Sequence, residues 1–295
     1  MPKLSDYYFF RYSILPTRQI SIDFGDQKKV MEPNEILDAF FHNLEHEKKV
    51  TGQIKDRKYL LYFFKKVYPT TFICKFAREM STKRYNEGAT DIQKREEKDF
   101  PFIYIVIDLK TQLILIQQKS SVFRKVDESS RAFSLFLAMV ANLHDYEVKV
   151  TEITHEYYFW EYVDTADAIY TLKLSMKSPN YFMFDLRAKE FLNGIKELAN
   201  NTGLNMELEN EAGRLTIRKD NLISNFIKYI SAGGGHWTLK IRSATDSVMR
   251  TISSKNSIKR EKLHSDLEQE QPQKILNVIK TENDYSGQYE SKNDN

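Results

Sequence analysis

The chain has 295 residues, 41% of them hydrophobic and 13% aromatic, enough to pack a core in two domains and to exclude a wholly disordered protein. Lys and Arg number 44 against 41 Asp and Glu, so the formal net charge of +3 excludes a uniformly basic nucleic-acid binder and leaves local clustering as the electrostatic signal. The single cysteine, Cys74, excludes an internal disulfide and points to a reducing, cytoplasmic setting. No segment approaches the ~18 uninterrupted apolar residues of a membrane span, and Arg11 breaks the N-terminal apolar stretch, unlike a signal peptide.

Aromatic and β-branched residues over Tyr7–Leu15 predict a first strand that stops at Pro16. Ile36, Leu37, Phe40, Phe41 and Leu44 share one face at helical spacing and predict a helix over Glu32–Leu44. Lys58–Glu79 reads as two strands joined around Tyr68-Pro69-Thr70. Met80–Asp99 is polar, charged and without apolar period, which predicts a long loop. Phe102–Ile107 and Gln112–Gln117 flank a turn at Asp108-Leu109-Lys110-Thr111 and form a hairpin. Asp127–Leu143 is a second amphipathic helix and Tyr146–Ile153 an alternating strand.

The second half continues with a short aromatic helix over His155–Val163, a strand over Ala168–Met176 and a helix over Asp185–Asn200 that Gly203 stops. A hairpin is expected from Asn205–Glu209 and Arg214–Arg218, then a helix over Asp220–Ser231 ending in Gly233-Gly234-Gly235. His236–Arg242 and Ser247–Ile252 form a last strand pair, and disorder is expected after about Glu261. Helices that alternate with hairpins imply α+β architecture with mainly antiparallel sheets in two lobes, 1–154 and 155–252, followed by a flexible tail, 253–295.

Charge is sorted along the C-terminal sixty residues. Lys240, Arg242, Arg250, Lys255, Lys259, Arg260 and Lys262 are opposed only by Asp246 and Glu261, after which acids dominate. A basic run followed by an acidic tail suits a polyanionic partner, nucleic acid first. Lys58–Arg78 interleaves aromatic residues with Lys58, Lys65, Lys66, Lys75 and Arg78; single-strand binders combine rings with a cationic groove, although most of these rings suit the core. The lysines are the candidate phosphate contacts.

Catalytic patterns are weaker. His42-Asn43-Leu44-Glu45-His46 matches an H-x-x-E-H metal motif, but both histidines fall opposite the apolar stripe. Asp108 and Lys110, with Glu96, Glu97 and Asp99 upstream, fit a metal-dependent nuclease or, more simply, a turn. Gly233-Gly234-Gly235 could cradle phosphate but lacks the Lys-Ser/Thr of a P-loop, so a helix cap and flexible joint is the simpler reading. Cys74 reads as a small buried hydrophobe rather than a nucleophile. No metal or other cofactor is implied.

The aromatic first strand around Arg11 (Tyr7, Phe9, Tyr12), the Phe100-Pro101 that opens a central strand, and the helix-rich second half give a layout that resembles the Rex-type phage-exclusion proteins (RexA-like) and, through them, RdgC-like architecture. The resemblance covers most of residues 1–252 as layout, not motif. It implies a two-lobed homodimer that binds DNA without sequence preference and acts in phage exclusion or abortive infection. DNA is expected ahead of RNA. The alternatives are a nuclease toxin and a protein-interaction module that senses a phage protein.

Overall fold

In β1 (Leu4–Pro16) the side chains alternate: Phe10, Tyr12 and Ile14 enter one core, whereas Tyr7 and Phe9 enter another on the opposite face of the sheet. The computed structural model describes residues 3–16, 33–87, 91–141, 146–177, 186–219, 222–245 and 248–287. Its elements confirm an α+β fold built on antiparallel sheets.

The first sheet contains β2 (Lys49–Ile54), β3 (Arg57–Tyr68), β4 (Thr71–Arg78), β7 (Phe102–Asp108), β8 (Leu113–Gln117), β9 (Tyr146–Glu152) and β14 (Arg260–His264), with β1. Its order is β14-β1-β8-β7-β4-β3-β2, and β9 also pairs with β1. Thirteen residues allow β1 to hold β14 through Leu4–Tyr8 and β9 through Phe10–Pro16. One face is covered by α1 (Pro33–Glu47) and α2 (Val126–Ala141), through Ile36, Leu37, Phe41 and Leu44 and through Phe133, Phe136 and Leu137. The other face is covered in part by α6 (Pro272–Gly287), whose Ile275 and Ile279 pack with Tyr104, Val106 and Leu115.

The second sheet runs β11-β10-β12-β13, formed by β10 (Ala166–Lys177), β11 (Gly203–Glu209), β12 (Gly235–Ser243) and β13 (Met249–Ser253). With α3 (Glu156–Thr165), α4 (Leu186–Ala199) and α5 (Leu222–Tyr229) it encloses a separate core around Phe159, Phe226 and Trp237. Among the described residues no helix is long and apolar enough to cross a membrane.

Four expectations need correction. Met80–Asp99 is not simply a loop: β5 (Met80–Glu87) and β6 (Ile92–Asp99) form a polar ribbon, with Lys83 opposite Glu96 and Thr82 opposite Glu97. Ser81–Lys83 and Glu96–Asp99 are exposed, and a polar ribbon carries no apolar alternation, which hides it from pattern reading. Arg214–Arg218 is not a strand; Arg214 makes only an isolated parallel bridge to Ile169. Helix α4 ends through Asn200, which takes the left-handed conformation at φ 46°, and Gly203 instead opens β11. Order also persists past Glu261: β14 completes an edge of the first sheet and α6 buries its apolar side, so residues 260–287 belong to the first lobe. Residues 288–295 lie outside the described residues.

The lobes meet at the glycine turn. Arg11 points to the face opposite Phe10 and Tyr12, where its Nε donates to the carbonyl of Ala232 at 2.8 Å and its Nη1 to that of Thr111 at 2.6 Å. Gly233 sits at φ 96°, and a Cβ there would lie 2.7 Å from the Cβ of Arg11. The turn is therefore a buried, tightly packed joint rather than a flexible one.

Candidate nucleic-acid interface

Alternation along β3 sends Tyr59 and Leu61 into the core beneath α2 and leaves Lys58, Leu60 and Tyr62 on the opposite face. The same face receives Lys75 and Ala77 from β4 and Phe102 from β7. Antiparallel register aligns them in rows. Lys49, Tyr62, Lys75 and Tyr104 lie opposite one another across β2, β3, β4 and β7, and Leu60, Ala77 and Phe102 form the adjacent row.

Helix α6 leaves part of this face uncovered. The open part is a groove of about 460 Å³ lined by Lys49, Lys58, Leu60, Tyr62, Lys75, Ala77, Phe100 and Phe102. Three of these are lysines and none is acidic. Tyr62 is 38% exposed. The ammonium of Lys75 lies 5.1 Å from the Phe102 ring centre and 4.6 Å from that of Phe64. Lys49 lies 5.7 Å from the Tyr62 ring, and Lys119, on the neighbouring loop, 5.0 Å from Phe102. The open face thus alternates cations with aromatic planes.

Acids reach the margin: Glu79, opposite Lys58, pairs with Lys98 at 2.6 Å. Glu268, in the segment between β14 and α6, accepts from Lys75 Nζ at 3.2 Å. Its neighbour Asp266 accepts from the Tyr104 hydroxyl at 2.6 Å, and the hydroxyl and the backbone N–H of Glu268 hold its carboxyl below the usual carboxylate range.

The cations singled out from the sequence are scattered. Lys58 borders the groove. Lys65 donates to the carbonyl of Leu267 at 3.2 Å, and Lys66 pairs with Glu45 at 3.1 Å. Lys240 and Arg242 lie on β12 and Arg250 on β13, all in the second sheet, with Arg242 paired to Asp167 at 2.7 Å. Lys255 follows β13 and lies 4.0 Å from Glu152. Lys259 forms a nearly buried pair with Glu282 at 3.2 Å. Arg260 and Lys262 are on β14, in the first sheet, where Arg260 Nη1 is 3.5 Å from both Asp6 and the Tyr8 hydroxyl. The basic segment is therefore spread over two sheets instead of one stripe, and its acids are close at hand. Lys49, Lys75, Phe100 and Phe102 complete the groove; of these only Lys75 stood within the stretch Lys58–Arg78 that the sequence flagged.

The catalytic alternatives lose their geometry. Asp108 is buried; Oδ1 accepts from the hydroxyls of Thr70 at 2.8 Å and Thr71 at 2.9 Å, and Oδ2 from the backbone N–H and hydroxyl of Thr111. A carboxylate so engaged locks a turn and has no lone pair directed at a metal. Lys110 is exposed beside it, and Glu96, Glu97 and Asp99 stand on the separate β5–β6 ribbon. His42 and His46 are exposed, and no cluster of three or more His, Cys, Asp or Glu suited to a metal occurs among the described residues. Cys74 is fully enclosed in β4, where burial pushes its thiol up and away from thiolate chemistry.

No protein-family profile and no curated protein matches the chain. Among solved structures, a mutated baculovirus P35 after caspase cleavage aligns at 16% identity over 36% of this chain and 38% of that one, with a TM-score of 0.14, a likeness too slight to inform fold or function.

Proposed function

We propose that this protein binds nucleic acid without sequence preference, DNA before RNA, through the lysine-aromatic face of its first sheet. The observation that carries the reading is the groove lined by Lys49, Lys58 and Lys75 together with Tyr62, Phe100 and Phe102, with no acid among its lining residues. Lysines supply phosphate contacts, which carry affinity but no sequence information. Rings supply flat apolar surfaces for bases. A lysine over an exposed ring contributes about 0.5–1 kcal/mol, whereas a base stacked on an aromatic side chain contributes about 1–3 kcal/mol. A base therefore displaces the ammonium, which then turns to a phosphate. The proposed setting, phage exclusion or abortive infection, is supported by the resemblance in layout to the Rex-type proteins.

The test is a gel-shift titration with labelled DNA at two salt concentrations, with and without Mg²⁺. Binding should weaken steeply with salt and leave the DNA intact. Replacing Lys49, Lys58 and Lys75 together by Ala should flatten the slope of log K against log[salt] by about 2, since each phosphate contact contributes about 0.7–0.9. Absence of binding at low salt refutes the reading.

A further inference from the structure

Resting on that reading, we infer that the ligand of the groove is an unpaired polynucleotide strand rather than a duplex. Tyr62 lies on β3 and Phe102 on β7, two strands away and in adjacent rows, so two aromatic side chains stand about 12 Å apart on one pleated face. Lys49 and Lys75 are the cross-strand neighbours of Tyr62 on either side. Phe102 lies opposite Ala77 and has the ammonium groups of Lys75 at 5.1 Å and Lys119 at 5.0 Å from its ring centre. That arrangement serves a chain whose bases turn toward the protein while its phosphates follow the lysines.

A duplex cannot use it. Its base faces are occupied by their neighbours in the stack, and only base edges are offered in the grooves. Against a duplex the lysines would act alone, and the rings would remain against water or their own lysines. Among the described residues no helix projects from this face to enter a major groove: its open part is built from β2, β3, β4 and β7 and the Phe100 loop. Sheet faces that present rings to splayed bases are a recurring solution for single strands.

The experiment is equilibrium anisotropy of the full chain with a labelled single-stranded oligonucleotide of about 15 nucleotides, long enough to cover one such site. Unlabelled DNA strand, RNA strand of the same sequence, and the corresponding duplex compete. Either single strand should compete at least about tenfold better than the duplex. Tyr62→Leu should weaken single-strand binding about tenfold with the salt slope unchanged, and Tyr62→Phe, which keeps the ring, should restore it. Tyr62 is partly exposed, and unchanged melting of both variants confirms that the fold survives. Equal competition by duplex, or full affinity in Tyr62→Leu, overturns the single-strand inference while leaving phosphate binding intact. Failure of every probe to bind at low salt overturns the underlying reading as well.

Discussion

Glu268→Gln isolates the electrostatics of the groove. In the native protein the Glu268 carboxylate holds Lys75 at 3.2 Å, with the lysine side chain 27% and the glutamate 55% exposed. A pair so exposed is worth about 0.2–1 kcal/mol. Removing the carboxylate frees Lys75 for a phosphate and should tighten oligonucleotide binding between about 1.4- and 5-fold at low salt. The salt slope should stay close to the native one, because Lys75 meets a phosphate in both proteins. Simple loss of a negative charge also favours a polyanion, so Glu197→Gln, an equal charge change on exposed α4 in the second lobe, is the control. Anisotropy titrations of the three proteins over a range of salt decide the matter. If Glu197→Gln and Glu268→Gln shift the affinity alike, the carboxylate does not compete for Lys75 and the reasoning fails.

Other predictions address the scaffold. Ile275→Ala removes a fully buried side chain from α6 and should cost about 2–5 kcal/mol in chemical denaturation, whereas a C-terminal tail without order would tolerate it at no cost. Asp108→Ala strands the hydroxyls of Thr70 and Thr71 and should lower the melting temperature by roughly 5–10 °C, through about 3 kcal/mol lost, without affecting any Mg²⁺-dependent cleavage of DNA. Lys177 donates to the Thr151 hydroxyl, and burial depresses its pKa to about 8 despite the nearby carboxylate of Glu152. Its folded pKa lies below the unfolded value of 10.5, so the unfolded state binds the extra proton between them and stability rises with pH from about 8 upward. The penalty at neutral pH is up to about 3 kcal/mol, and Lys177→Met should abolish the rise seen by denaturant titration between pH 7 and 9.5.

The antiparallel α+β fold was legible because most elements carry their own apolar period, as in β1, α1, α2 and α5. The C-terminal elements carried one too. Pro272 suits a first helical turn, and Ile275, Val278, Ile279 and Glu282 fall on one side of α6. The acids that precede it, Asp266, Glu268 and Glu270, drew attention to charge instead. Strand β2 turns only Val50, Gly52 and Ile54 inward, too short an alternation to stand out, and the β5–β6 ribbon is mostly polar. The binding face was half legible for a different reason. Alternation within β3 places Lys58 and Tyr62 together, but Lys49, Lys75 and Phe102 join them through the pairing of four strands. No single segment encodes that register; it follows from which cores the opposite sides of those strands fill. Conversely, the dense basic run from Lys240 to Lys262 looked like one surface in one dimension. Folding divides it between two sheets and sets Asp167, Glu152, Glu282 and Asp6 against it.

The measurement that tests the central claim most directly is ultraviolet crosslinking of a photoreactive single-stranded oligonucleotide to the intact protein, with mass spectrometry of the crosslinked peptides. Crosslinks should concentrate on the peptides that carry Tyr62 and Phe100–Phe102. Crosslinks confined to residues 240–262 would contradict the account and return the interface to the basic segment.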